Sequence, residues 1–237
     1  MHDYHFFSSG ENFTKEHVTL TDDEFKHCCR VLRYKVGDEI SVFDGSGKLF
    51  TARIVDIGKN VARAKILETV ENNSYNSLKI HLAVGLVKSK ALDLIIDQAT
   101  SLGIHSFYPV ETENSVKKSF NLTRYRKKCL ESLKQSGRLL LPDIFDIYSF
   151  SELLDEFMNM DTKMLCYQHS QNKLFDMKIE NTAELLIFIG PEGGFSEKEI
   201  TAAQNAGFKT VNLFDGRLRT ELAVTTALAG IHTLHRR

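Results

Sequence analysis

Gly190-Pro191-Glu192-Gly193-Gly194-Phe195 is the stretch of this chain whose residue types best suit ligand chemistry. Three glycines within five residues let backbone come close to a flat ligand, and Glu192 restricts the charge that ligand can carry. The spacing fits neither the dinucleotide fingerprint nor the P-loop, and a carboxylate would repel a nucleotide phosphate. A neutral or cationic ligand carrying an adenosine suits it; a turn whose glycines serve backbone geometry alone accounts for the same pattern. A second group is Lys26, Arg30 and Arg33, which lie at i, i+4 and i+7 and so share one face of a predicted helix. Such a stripe suits phosphate contacts and equally an ordinary solvated face. The four cysteines (Cys28, Cys29, Cys129, Cys166) form no C-x-x-C pair and have no ligand-spaced histidine, so reduced structural thiols and no metal centre are expected.

The elements that must position the glycine-rich stretch can be read on both sides of it. Leu185 to Ile189 is a run of five apolar residues ended by Gly-Pro, which suits a strand buried on both faces. Ser196 and Glu199 make a capping box, and the helix they open buries Ile200, Ala203 and Ala206 before Gly207. A strand at Thr210 to Leu213, a loop at Phe214 to Arg219 and a final helix capped by Thr220 follow. Two successive strand-helix units imply a parallel sheet, which binds ligands at the carboxyl ends of its strands. Upstream, strands are predicted at Lys79 to Leu86, Ile104 to Val110 and Lys163 to Tyr167. Helices are predicted at Lys90 to Leu102, at Leu122 to Gln135 with a basic exposed side, and briefly after a cap at Ser151. This part of the chain is α/β.

The first seventy residues differ. Thr21-Asp22-Asp23-Glu24 reads as a capping box opening a helix with Phe25, Cys28, Cys29 and Leu32 inward, closed by Gly37. Short strands at Glu39 to Phe43, Lys48 to Asp56 and Val61 to Val70, joined by Gly-rich turns, suggest a small β-barrel. The polar interval Glu71 to Ser77 marks a boundary, giving units 1–72 and 73–237. With 237 residues and 42% apolar side chains the chain can bury a full core, and its net charge of −1 gives no bulk attraction to nucleic acid. No apolar run reaches membrane-spanning length, and Met1 to Phe6 lacks signal-peptide architecture, so the cytosol is the expected compartment.

Six segments, in order, resemble the ribosomal small-subunit methyltransferase E family of the SPOUT superfamily. They are His27-x-x-Arg30-Val31-Leu32-Arg33, Val42-Phe43-Asp44-Gly45, Ser101-Leu102-Gly103-Ile104 leading to Pro109, Gln135-Ser136-x-Arg138 with Pro142, Ile189 to Phe195, and Leu218-Arg219-Thr220-Glu221-x-Ala223. The resemblance implies an RNA-binding PUA-like barrel, then an α/β domain with a trefoil knot that binds S-adenosyl-L-methionine and forms a homodimer. The implied reaction is methylation of uridine N3 in 16S rRNA of the 30S subunit, without a metal. It implies a cofactor pocket of Tyr167, Gln168, Gly190, Pro191, Glu192, Gly193, Leu213, Leu218, Arg219, Thr220 and Ala223. Lys26, Arg30 and Arg33, continued by Lys117, Lys118 and Arg124, would contact RNA, and Arg138 would donate to the uracil oxygens as N3 loses its proton. The chain departs from the family at Leu213 to Arg217, where Leu-Gly-x-Arg is usual, and at Leu222. Rival readings are another SPOUT RNA methyltransferase and a non-catalytic RNA-binding assembly factor, separated by whether the cofactor is bound.

Overall fold

The computed structural model describes residues 4–71, 78–116, 119–179 and 182–235. The predicted linker at 72–77 and the basic residues Lys117 and Lys118 lie outside the described residues. The chain divides into two compact units, Met1–Tyr75 with Leu133–Leu141, and Asn76–Ser132 with Pro142–Arg237.

In the first unit, strands β1 (His5–Phe7), β2 (His17–Thr21), β3 (Glu39–Phe43), β4 (Lys48–Ile57) and β5 (Val61–Glu71) form one sheet in the order β1-β3-β4-β5-β2. Only the β1/β3 pairing is parallel. Alternation turns Val18, Leu20, Ile40, Val42, Ile54, Ala62 and Ala64 inward, onto Phe6, Phe25 and Cys28. The two outer strands are drawn together by the Ser8 hydroxyl, which donates to the Thr19 carbonyl at 2.7 Å, so the sheet curls. The predicted strands are present; β1 and β2, too short and too polar to stand out, are additions. Leu133–Leu141 completes the unit: Leu133 and Leu139 pack on Phe43, and the Leu141 N–H donates to the Gly45 carbonyl at 2.8 Å.

The helix predicted from Thr21 departs from expectation. It is a single α-turn, α1 (Asp22–Phe25), continued by a π-turn over Lys26–Val31, and Thr21 makes no side-chain cap. The Glu24 carboxylate accepts instead from the Phe7 N–H at 3.3 Å and pairs with Lys134. The wider turn and the positive φ of Arg33 (61°) break the i, i+4, i+7 register, so Lys26, Arg30 and Arg33 do not share one helix face.

The second unit contains β6 (Lys79–Gly85), α2 (Ser89–Leu102), β7 (Ser106–Glu111), α3 (Leu122–Ser136), β8 (Asp143–Ile144), β9 (Tyr148–Ser149), α4 (Phe150–Glu156), β10 (Lys163–Cys166), β11 (Glu184–Ile189), α5 (Glu197–Asn205), β12 (Lys209–Val211) and α6 (Thr220–His235). The last turn of α3 belongs to the first unit. The sheet runs β12-β10-β11-β6-β7-β8, with β9 also on β7, and each of these pairings is parallel. β11 is thus inserted between two strands that precede it. Its Leu185 to Ile189 are buried, as the uninterrupted apolar run requires. α6 packs on α2, where the Thr225 hydroxyl donates to Gln98 Oε1 at 2.8 Å.

In this unit the predicted elements agree with the sequence reading to within about two residues, β8 and β9 are additions, and the Ser196–Glu199 capping box forms as predicted. Two caps differ. Ser149, not Ser151, opens α4, because Glu152 stands three residues after it and completes the box. Thr220 is the first residue of α6 rather than its cap; its hydroxyl donates to the Gly190 carbonyl at 3.2 Å.

A candidate ligand cleft at the carboxyl edge of the sheet

β10, β11 and β12 are parallel neighbours, so the loops that leave them emerge at the same edge of the second unit. Between these loops and the start of α6 lies a cleft of about 270 Å³. Tyr167, Gln168 and His169 line it from the loop after β10, Gly190 to Phe195 from the loop after β11, and Glu197 from the start of α5. Asn212, Leu213, Phe214, Gly216, Arg217 and Leu218 come from the loop after β12, and Thr220 and Ala223 from α6. Cys166 and Ile189 form part of the floor.

The glycine-rich loop is held from several sides. The Asn114 amide, on the loop after β7, donates to the Gly193 and Gly194 carbonyls at 3.4 and 3.2 Å. Arg217 donates to the Glu192 carbonyl at 2.9 Å, Thr220 to that of Gly190, and the Gly194 N–H to that of Pro191 at 2.8 Å. A methyl group on Gly193 would lie 2.9 Å from Asn114 Cβ, so glycine is required there by packing within the protein. Geometry therefore accounts for Gly193, and the cleft lies beside it. Glu199 ties the same loops together: one oxygen accepts from the Ser196 N–H at 2.9 Å, the other from the Glu113 N–H at 2.8 Å.

Charge at the cleft is negative on one side. Glu192 and Glu197 line it, and the Tyr167 hydroxyl donates to Glu197 at 3.5 Å. Burial first, then the Glu197 charge, push the Tyr167 phenol up, so it stays a neutral donor. Burial also pushes the Cys166 thiol up, which leaves it protonated and without nucleophilic character. An apolar wall of Ile189, Leu213, Leu218 and Ala223 beside two carboxylates suits a flat heterocycle that carries a positive charge nearby. Among the described residues no group of three histidine, cysteine, aspartate or glutamate side chains could hold a metal ion.

The structure brings together around this cleft Tyr167, Gln168, Gly190, Pro191, Glu192, Gly193, Leu213, Leu218, Thr220 and Ala223, which the resemblance assigns to a cofactor pocket. Arg219 is not among the lining residues; its carbonyl accepts the Ala223 N–H at 2.8 Å where α6 begins. Phe214 and Arg217, inside the loop expected to border the pocket, line the cleft as well, as do Glu197 and Asn212, which were not assigned to it, and His169, for which a plain surface position was the expectation. Their place in the loops after β10 and β12, and for Glu197 at the first residue of α5, was the available signal. Arg138 lies in the Leu133–Leu141 segment of the first unit and does not line the cleft. Among the basic residues, Lys26 pairs with Asp23 at 3.2 Å. Arg30 donates to the Lys59 carbonyl and Asn60 Oδ1 at 3.3 and 3.1 Å, and Arg124 binds both oxygens of Asp93 at 2.7 and 2.5 Å.

Two family descriptions match the chain: RNA methyltransferase domain over residues 74–232, and RNA methyltransferase PUA domain over residues 20–67. Ribosomal RNA small subunit methyltransferase E of Synechocystis is 31% identical over 98% of this chain and 78% of its own length. The protein of the same name from Rickettsia conorii is 31% identical over 92% of this chain and 90% of its own. A crystal structure of ribosomal RNA small subunit methyltransferase E from Neisseria gonorrhoeae, bound to S-adenosyl methionine, superposes with a TM-score of 0.90. It is 31% identical and covers 98% of each chain.

Proposed function

The chain belongs to the ribosomal RNA small subunit methyltransferase E family, and on that premise we propose that it methylates N3 of a uridine in 16S rRNA, using S-adenosyl-L-methionine. The observation that carries this reading is the cleft: loops from three adjacent parallel strands set an apolar wall beside Glu192 and Glu197. That donor set fits the cofactor, since the wall takes an adenosine and the carboxylates tolerate a sulfonium where a phosphate would be repelled. When bound, the cofactor supplies a methyl group activated by the positive sulfur.

The residues of the chain do the rest. The glycine-rich loop, held by Asn114, Arg217 and Thr220, keeps its backbone in one arrangement against the ligand, which is the positioning an in-line displacement needs. As the N3 proton passes to water, negative charge would spread onto O2 and O4 of the uracil, and N3 would then take the methyl group as the bond from carbon to sulfur breaks and S-adenosylhomocysteine is released. Arg138 donates to those oxygens in this reading, in a homodimer that acts in the cytoplasm on the 30S subunit. Lys26, Arg30, Arg33, Lys117 and Arg124 contribute phosphate contacts, the 1–72 unit binds RNA and the 73–237 unit carries the chemistry. A knotted path through the second unit is supported by the insertion of β11 between β6 and β10, and by the return of α6 onto α2.

The test is calorimetric titration with S-adenosylhomocysteine, then methyl transfer to 30S subunits lacking the modification. Binding with methylation of N3 is expected. Absence of binding would sink the reading in favour of an RNA-binding assembly factor, and binding with methylation elsewhere would favour a different SPOUT enzyme. Arg138→Ala is expected to lower kcat on the order of a hundredfold with cofactor affinity unchanged; unchanged turnover removes its catalytic role.

A further inference from the structure

The loop after β12 carries a feature that cofactor binding leaves unexplained. Phe214 lines the cleft and yet leaves 61% of its surface exposed. An exposed phenyl ring is ordinary when it stands alone on a surface. This one is built in place. Its N–H donates to Asn212 Oδ1 at 3.1 Å, Asp215 beside it pairs with Lys173 at 3.3 Å, and Arg217 fixes the far end of the loop on the Glu192 carbonyl. The ring lies close to Gly216, where a Cβ would stand 3.2 Å from its edge. The loop is tied at three points, and what it holds out at the cleft is an aromatic surface.

Beside the ring lies room of a different character. A second, polar cavity shares Gln168, His169 and Asn212 with the cleft and is lined further by Lys173 and Asp215. Asn212 and Asp215, both within two positions of Phe214, line this cavity. An aromatic plane lining the cleft, with neighbours that line a polar cavity, is what a single unstacked nucleotide needs: a surface for the base, and hydrogen-bonding groups for its sugar.

We propose that Phe214 is the platform on which the acceptor base stacks once it has left the RNA helix. This rests on the methyltransferase reading and adds the residue that receives the substrate. The cofactor's adenine is the poorer occupant. The buried wall of Ile189, Leu213 and Ala223 already offers it apolar surface, whereas the Phe214 ring faces outward. Stacking is tolerant of which base is presented, so Phe214 holds the base in place and leaves its recognition to other groups.

The chain contains no tryptophan, so Phe214→Trp introduces a single fluorescent reporter at the proposed contact. An RNA oligonucleotide carrying the target uridine is expected to quench it, and the same oligonucleotide with an abasic site at that position is expected not to. Phe214→Ala is expected to lower kcat/KM for 30S subunits about tenfold, with affinity for S-adenosylhomocysteine unchanged, and Phe214→Tyr to restore it. Loss of S-adenosylhomocysteine affinity in Phe214→Ala would overturn the proposal by placing the ring over the cofactor. Equal quenching by both oligonucleotides, or unchanged kcat/KM in Phe214→Ala, would overturn it as well. Failure of the unsubstituted protein to bind S-adenosylhomocysteine would count against the methyltransferase reading instead.

Discussion

His81 shows how much a single buried side chain can join. It sits on β6 with its ring enclosed; Nδ1 meets Ser106 Oγ of β7 at 2.5 Å and Nε2 meets Glu184 Oε1 of β11 at 2.6 Å. Three central strands are linked at their amino ends by one imidazole. The hydrogen bond from His81 is the first cause holding the Glu184 carboxyl below its usual range. Its neighbour His105 is lowered from the ordinary 6.5, first by burial and then by the charges of His81 and Lys79. Both shifts have the same sign for stability. The folded state binds these protons less readily than the unfolded chain, so stability falls as the pH drops below 6.5 through His105, and again in the carboxylate range through Glu184. The melting temperature is therefore expected to be lower at pH 5 than at pH 7.5, and His105→Gln to flatten that slope; an identical slope in the variant would refute the assignment. His81→Leu, which leaves the buried Ser106 hydroxyl short of a partner, is expected to cost about 1–3 kcal/mol in urea unfolding. Its effect on cofactor affinity is expected to be small, because the cleft lies at the opposite, carboxyl edge of the same sheet.

Two capping boxes with nearly the same sequence pattern illustrate what decides an element. Ser196 and Glu199 bond reciprocally and open α5, whereas Thr21 and Glu24 do not, because Glu24 is drawn to Phe7 and to Lys134, a residue 110 positions away. The local rule was legible in both places; the competing long-range partner was not. Ser196→Ala is expected to destabilise the second unit by about 1 kcal/mol, read as a lower denaturation midpoint with unchanged m. The end of β6 is under a tighter constraint. A Cβ on Gly85 would lie 2.4 Å from Pro191 Cδ and 2.8 Å from its nitrogen, so the strand and the glycine-rich loop touch as backbone. Gly85→Ala is expected to displace that loop and weaken S-adenosylhomocysteine binding on the order of tenfold, since overpacking of this kind costs about 1–3 kcal/mol. Unchanged affinity would mean that the loop relaxes without loss.

For the whole molecule, the near-zero net charge and the division into two units set the expected behaviour. A ligand that binds only the folded second unit stabilises it by mass action, so S-adenosylhomocysteine at about a hundredfold its Kd is expected to add about 2.7 kcal/mol. For a chain of this size that raises the melting temperature by roughly 5 °C or more, and a flat response in scanning calorimetry would contradict cofactor binding. With a net charge of −1, attraction to RNA must come from local basic groups, several of which are ion-paired within the protein. Among the described residues no helix is long and apolar enough to cross a membrane.

The resemblance to a methyltransferase family pointed to most of the cleft-lining residues; by itself the sequence determined the α/β pattern, the parallel sheet and the edge of that sheet where its loops gather. These follow from periodicity, caps and punctuation, which act between residues a few positions apart, and from the rule that parallel strands deliver their loops to a common edge. The tertiary structure alone decided what depends on distant partners. Residues 133–141 complete the first unit, the Glu24 carboxylate turns to Lys134 instead of capping its helix, Asn114 holds the glycine-rich loop, His81 joins three strands, and Phe214 is left exposed at the cleft. Each is a contact between residues far apart in the chain, and no local pattern encodes which distant side chain will arrive.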